Sequence, residues 1–65
     1  MRLTGREHQT LAGLSRGWGN REIAAGLGIA PATVRDYVSS LCKKLSAANR
    51  TEVVSKGIAL GLIQP

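Results

Sequence analysis

Glycine and proline cut this chain into four stretches of helical length, and that punctuation constrains the fold more than any other feature of the sequence. Gly17 and Gly19 flank Trp18, Gly28 stands just ahead of Pro31, and Asn49 follows the small residues Ser46, Ala47 and Ala48. No alternation of the kind a strand needs competes with the helical spacing. Thr4 with Glu7 three residues later is a capping-box start, and Leu11 and Leu14 supply an inward stripe, which predicts a first helix from Gly5 to Arg16. Ile23, Ala24 and Leu27 fall on one side of a second helix of two turns, opened by Gly19 or Asn20 and closed by Gly28 in the left-handed conformation. Pro31 suits the first position of a third helix, where its missing N–H has no partner to lose, and the apolar spacing continues to about Leu45. Asn49 and Glu52 repeat the capping logic for a fourth helix that carries Val53, Val54 and Ile58 and stops near Gly61. The expectation is an all-α, four-helix bundle with a helix-turn-helix formed by helices two and three, one domain over residues 1–65.

The size of the chain limits what such a bundle does. With 65 residues the core is small and there is no room for a buried catalytic cleft. The absence of Phe makes that core mostly aliphatic. Nine Lys and Arg against four acids leave a net charge of +5, a density that favours an acidic partner: nucleic acid first, a membrane surface as the rival. The chain has no apolar run long enough to span a bilayer, and its opening MRLTGREHQT lacks the apolar core of a signal peptide, so a cytoplasmic location is expected. The single cysteine, Cys42, allows no internal disulfide, and with only His8 beside it in the inventory it makes no structural zinc site. No nucleophile–base pair, paired carboxylates or phosphate loop is visible, so neither an enzyme nor a cofactor, metal or small-molecule site is expected.

The third helix carries the functional signal. Val34, Tyr37, Val38, Leu41 and Leu45 share its inner side at about 100° per residue. The opposite arc holds Ala32, Arg35, Asp36, Ser39 and Lys43, flanked by Thr33, Ser40 and Lys44. A helix that reads bases needs small residues for close approach, a few hydrogen-bonding side chains for base edges, and cations placed to meet phosphates. All three are present. Taken alone, such a face is more often just a solvated helix surface. A two-turn helix, a short glycine-containing turn and a longer helix with a polar outer face together match the helix-turn-helix, whose second helix enters the major groove.

The strings LTGREHQTLAGLSRGWGNREIAAGLGIAPATVRDYVSSLCKKL and NRTEVVSKGIALGLI resemble the LuxR/GerE-type domain over nearly the whole chain. The likeness lies in the LTxRE opening at Leu3–Glu7, NREIA at Asn20–Ala24, TVR at Thr33–Arg35, KKL at Lys43–Leu45 and NRT at Asn49–Thr51. That resemblance implies a bacterial transcription regulator, effector domain or stand-alone, acting on double-stranded DNA, with RNA polymerase as a further candidate partner. It assigns base reading to Arg35, Asp36 and Ser39, and phosphate contacts to Asn20, Arg21, Thr33, Tyr37, Lys43 and Lys44. It also implies a homodimer on a pseudo-palindromic site, joined through Val54, Gly57 and Ile58 of helix four. Glu7 and Arg50 match positions that stabilise helix one on helix four. Three positions depart from the family pattern. Tyr37 replaces a frequent histidine, while Gly19 and Ala30 replace serine caps, and an uncapped Ala30 lets helix three start loosely. Asp36 fits either a cytosine N4 contact or an intrahelical role beside Arg35 and Ser40.

Other residues have plainer readings. His8 is expected at the surface, Cys42 as a small buried hydrophobe, Gly61 as a helix cap and Trp18 as a core plug under the turn. Two rival functions remain from the sequence: the promoter-binding region four of sigma factors, disfavoured by the NRT and GLI segments, and a helical protein-interaction adaptor whose basic surface never meets DNA.

Overall fold

A computed structural model of the chain, describing residues 2–65, has four helices in the order α1 (Gly5–Ser15), α2 (Asn20–Leu27), α3 (Pro31–Lys44) and α4 (Arg50–Ala59), and no strand among those residues. The caps explain where each helix starts. The Thr4 hydroxyl accepts from the Glu7 N–H at 3.2 Å and the Glu7 carboxylate accepts from the Thr4 N–H at 2.8 Å, which completes the expected box. At α2 the cap is Gly19, which has no side chain to offer, so only the return half forms, from the Gly19 N–H to Glu22 at 2.8 Å. Asn49 caps α4 by accepting from the Glu52 N–H at 3.0 Å. Ala30 gives α3 no side-chain cap, and Pro31 alone marks its start.

The ends differ from the expected ones by a residue or two. Arg16 and Leu45 are C-caps rather than last helical residues, and α4 stops at Ala59, with Gly61 at φ +73° turning the chain beyond it. Gly28 sits at φ 68° as the exit from α2, the left-handed conformation that its lack of a Cβ permits without strain.

Leu11, Leu14, Ile23, Ala24, Val34, Leu41, Leu45 and Val53 form one aliphatic core drawn from all four helices. α3 packs mainly on α1 and α2, while α4 packs on α1 and more lightly on α3. Two glycines set how closely elements approach. A Cβ on Gly13 would stand 2.8 Å from Cγ1 of Ile23 and 3.3 Å from Cε3 of Trp18. One on Gly57 would meet both Cδ atoms of Leu11 at 3.2 Å and Cγ1 of Ile63 at 3.3 Å. Beyond α4, Leu62 and Ile63 fold back against the core, and His8 meets the Leu62 carbonyl through Nε2 at 2.9 Å.

Trp18 does not plug the core. It is 38% exposed, seated over Gly13 with the Arg16 guanidinium 5.3 Å from its ring centre, because a loop between two glycines lays the ring across α1 instead of driving it inward. Cys42 is half-buried against the core and His8 is at the surface.

Candidate nucleic-acid interface

The period of α3 divides it into the two faces its sequence suggests. Val34 and Leu41 are fully buried, Val38 packs partly on the core and Tyr37 is half-buried at its edge. Ala32, Arg35, Asp36, Ser39 and Lys43 are all exposed, and Thr33 is half-buried beside them. Among the described residues no ion pair engages this arc, so the charges of Arg35, Asp36 and Lys43 face solvent uncompensated. The start of α2 lies alongside: Asn20, Pro31, Ala32 and Arg35 line one shallow cleft, with Arg21 exposed next to it.

Lys44 is held elsewhere. Its ammonium donates to Oε1 of Glu7 at 2.7 Å and to the Arg2 carbonyl at 3.1 Å, so its charge has partners within the domain, unlike those of the outer arc. Lys43, by contrast, has no such partner among the described residues. The Ser40 hydroxyl donates to Oε2 of Glu7, so its single proton is not available to Asp36, which removes Ser40 from the proposed intrahelical partners of that acid. Glu7 itself is 4% exposed. Burial pushes its pKa up, but the Lys44 ammonium, the Ser40 hydroxyl and the Thr4 cap outweigh that and lower it from 4.5 to about 2.

Arg50 lines a pocket with Leu14 and Ser15 at the end of α1, but the side-chain hydrogen bonds of Glu7 and Arg50 join other pairs of helices. Glu7 joins α1 to α3, and Arg50, the first residue of α4, donates through Nη2 to Oδ1 of Asn20 at the first residue of α2. Neither pairing had a sequence signal: the partners lie 37 and 30 residues apart, and only the helix crossings bring them together. A third long-range tie, from Arg6 to the Leu27 carbonyl at 3.3 Å, fixes α1 on the end of α2.

On α4, Val54 and Ile58 are half-buried one turn apart. Gly57 is buried, and the space a side chain would need is filled by Leu11 and Ile63 of the same chain. Its closeness serves internal packing, which leaves Val54 and Ile58 as the expected dimer positions with surface to offer.

The model of the luxR family of bacterial regulatory proteins matches residues 1–56. This chain belongs to that family. It is 41% identical over 63 residues, 97% of the chain, to the transcriptional activator protein VanR of Vibrio anguillarum, covering 26% of that protein. It is 40% identical over 58 residues, 89% of the chain, to the probable transcriptional regulatory protein SgaR of Hyphomicrobium methylovorum, covering 28% of it. The transcriptional regulatory protein LnrK of Bacillus subtilis is 38% identical over 60 residues, 92% of the chain and 27% of that protein. The chain thus spans little more than a quarter of the length of these curated relatives, and corresponds to the DNA-binding helix-turn-helix domain of LuxR-type regulators.

The LuxR-family motifs fall into two physical groups in this fold. Glu7, Ile23, Ala24, Val34 and Leu45 are buried and build the scaffold, whereas Arg21, Arg35, Lys43 and Thr51 stand in solvent. No helix among the described residues is long and apolar enough to cross a membrane.

Proposed function

We propose that this LuxR-family domain binds duplex DNA sequence-specifically in the cytoplasm, with α3 in the major groove, as the output element of a transcriptional regulator. Arg35, Asp36 and Ser39 face base edges, while Asn20, Arg21, Thr33, Tyr37 and Lys43 face phosphates. Two copies meet through Val54 and Ile58 on a pseudo-palindromic site. The observation that carries this reading is the outer arc of α3: donors, acceptors and small residues, all exposed, on a helix whose other side is locked into the core.

Arg35 is the principal base reader in this arrangement, one turn into the helix with Ala32 and Ser39 leaving room for close approach, and its planar fork suits guanine O6 and N7. Arg35→Ala should cost about 1–3 kcal/mol on the cognate site and less on random duplex. Arg35→Lys should restore non-specific affinity better than preference, since it returns the charge without the fork. Selection from randomised duplexes with all three proteins at one salt concentration tests this. Unchanged relative preferences would reduce Arg35 to a phosphate contact, and no salt-dependent affinity for any duplex would favour a protein-docking adaptor instead.

A further inference from the structure

Arg50 had only a structural reading in the sequence, yet its surroundings suit a second task. It is exposed, it opens α4, and among the described residues no carboxylate lies within ion-pair distance of it. Its one side-chain partner is Asn20, which also lines the cleft shared with Arg35. A line of side chains therefore runs from Arg35 on the reading helix, through Asn20 at the start of α2, to Arg50 at the start of α4.

The chemistry of the middle link is determinate. A guanidinium only donates, so the amide atom that faces Arg50 must be the oxygen of Asn20. The Asn20 amide nitrogen is then turned the other way, with its two N–H groups left for an acceptor. An asparagine without such a partner has to be ordered by the phosphate itself, since its oxygen repels a phosphate and only its N–H groups can donate. The same guanidinium keeps most of its own five donors unused by Asn20, together with a full positive charge.

We propose that Arg50 and Asn20 act as one phosphate clamp on the DNA backbone, Arg50 contributing the charge and fixing the Asn20 amide with its N–H groups outward. The proposal rests on the DNA-binding reading above and extends the interface from the helix-turn-helix onto α4. Arg50 is thereby a binding residue and a positioning residue at once. Arg50 and Asn20 make the same contact on any sequence, because a phosphate carries no base information.

Binding titrations of the 65-residue chain on specific and random duplexes at several salt concentrations test the clamp, with thermal melts of each variant alongside. Arg50→Gln keeps an amide donor for Asn20 and removes the charge, so the log–log salt slope should fall by about 0.9 while the melt stays close to wild type. Arg50→Lys should retain the slope. Asn20→Ala should weaken both duplexes equally, by about two- to tenfold, without changing the slope. Asn20→Ala in the Arg50→Gln background should lose less than it does alone, because the two side chains share one contact. An unchanged salt slope in Arg50→Gln, with or without a lowered melting temperature, would show Arg50 to be a strut between α2 and α4 and overturn the clamp alone. Failure of wild type to bind either duplex would overturn the parent reading and the clamp with it.

Discussion

Replacing Glu7 with glutamine removes a charge while keeping the shape of the side chain, and its cost follows from the depressed acidity of that carboxyl. The pKa falls from 4.5 to about 2 on folding. A difference of about 2.5, at about 1.4 kcal/mol for each, corresponds to about 3.5 kcal/mol of stability at neutral pH. The Lys44 side chain is 34% exposed, so water screens part of its attraction and about 2–3 kcal/mol is the expected loss in Glu7→Gln. That is a large share for a domain of this size. The pH dependence carries the sharper signature. Because the folded pKa is the lower one, the stabilisation is complete above about pH 4.5, declines as the pH falls, and is gone below about pH 2; at about pH 3 less than half of it remains. Urea unfolding of wild type and Glu7→Gln between pH 7 and about pH 3 should therefore show two stability curves that converge on acidification. Parallel curves, or a difference below about 0.5 kcal/mol at pH 7, would mean that the Lys44 and Ser40 contacts do not stabilise the carboxylate, and the reasoning would fail.

The two lysines at the end of α3 should separate cleanly: Lys43→Ala should lower the DNA salt slope by about 1 with little change in stability, and Lys44→Ala should do the reverse, as read by titration and melting. Gly13→Ala should destabilise by about 1–2 kcal/mol in urea unfolding, since the clash with buried Ile23 exceeds the helix propensity gained; a more stable variant would show that Ile23 and Trp18 shift freely. Ile58→Glu should lower affinity for a duplex with two half-sites far more than for a single half-site, with circular dichroism unchanged and sedimentation reporting the loss of pairing. Val54→Glu should act in the same direction but also cost stability, because Val54 packs partly on the core.

Helix starts were legible because they are local chemistry. Thr4 with Glu7, Pro31, and Asn49 with Glu52 each fix a start through residues no more than three apart, and each stands where it was expected. The two faces of α3 were equally legible from its period, with Val34 and Leu41 in and Arg35, Asp36 and Ser39 out. What could not be read was any pairing set by helix crossings. Lys44 gives no local sign of Glu7, nor Arg50 of Asn20, because each partner comes from another helix. Trp18 misled because hydrophobicity predicts burial, whereas Gly13 and the adjoining turn seat the ring on the flank of α1. Gly57, expected in the dimer seam, is covered by Leu11 of α1 in the same chain, a contact its sequence neighbours do not announce.

The directional side-chain bonds of α3 all lie toward its far end, at Ser40 and Lys44, while its opening turn has Ala30 as an uncapped neighbour and is seated by apolar contacts around Val34. Such a helix behaves as a lever with its fulcrum at Glu7. From Ser40 back to Pro31 is about 14 Å at 1.5 Å per residue, so a tilt of about five degrees at the fulcrum displaces the opening turn by about 1 Å. Hydrogen bonds tolerate only about half that range. Glu7, a buried carboxylate that anchors the far end of the helix, thereby helps set the direction in which the exposed arc of Arg35, Asp36 and Ser39 points.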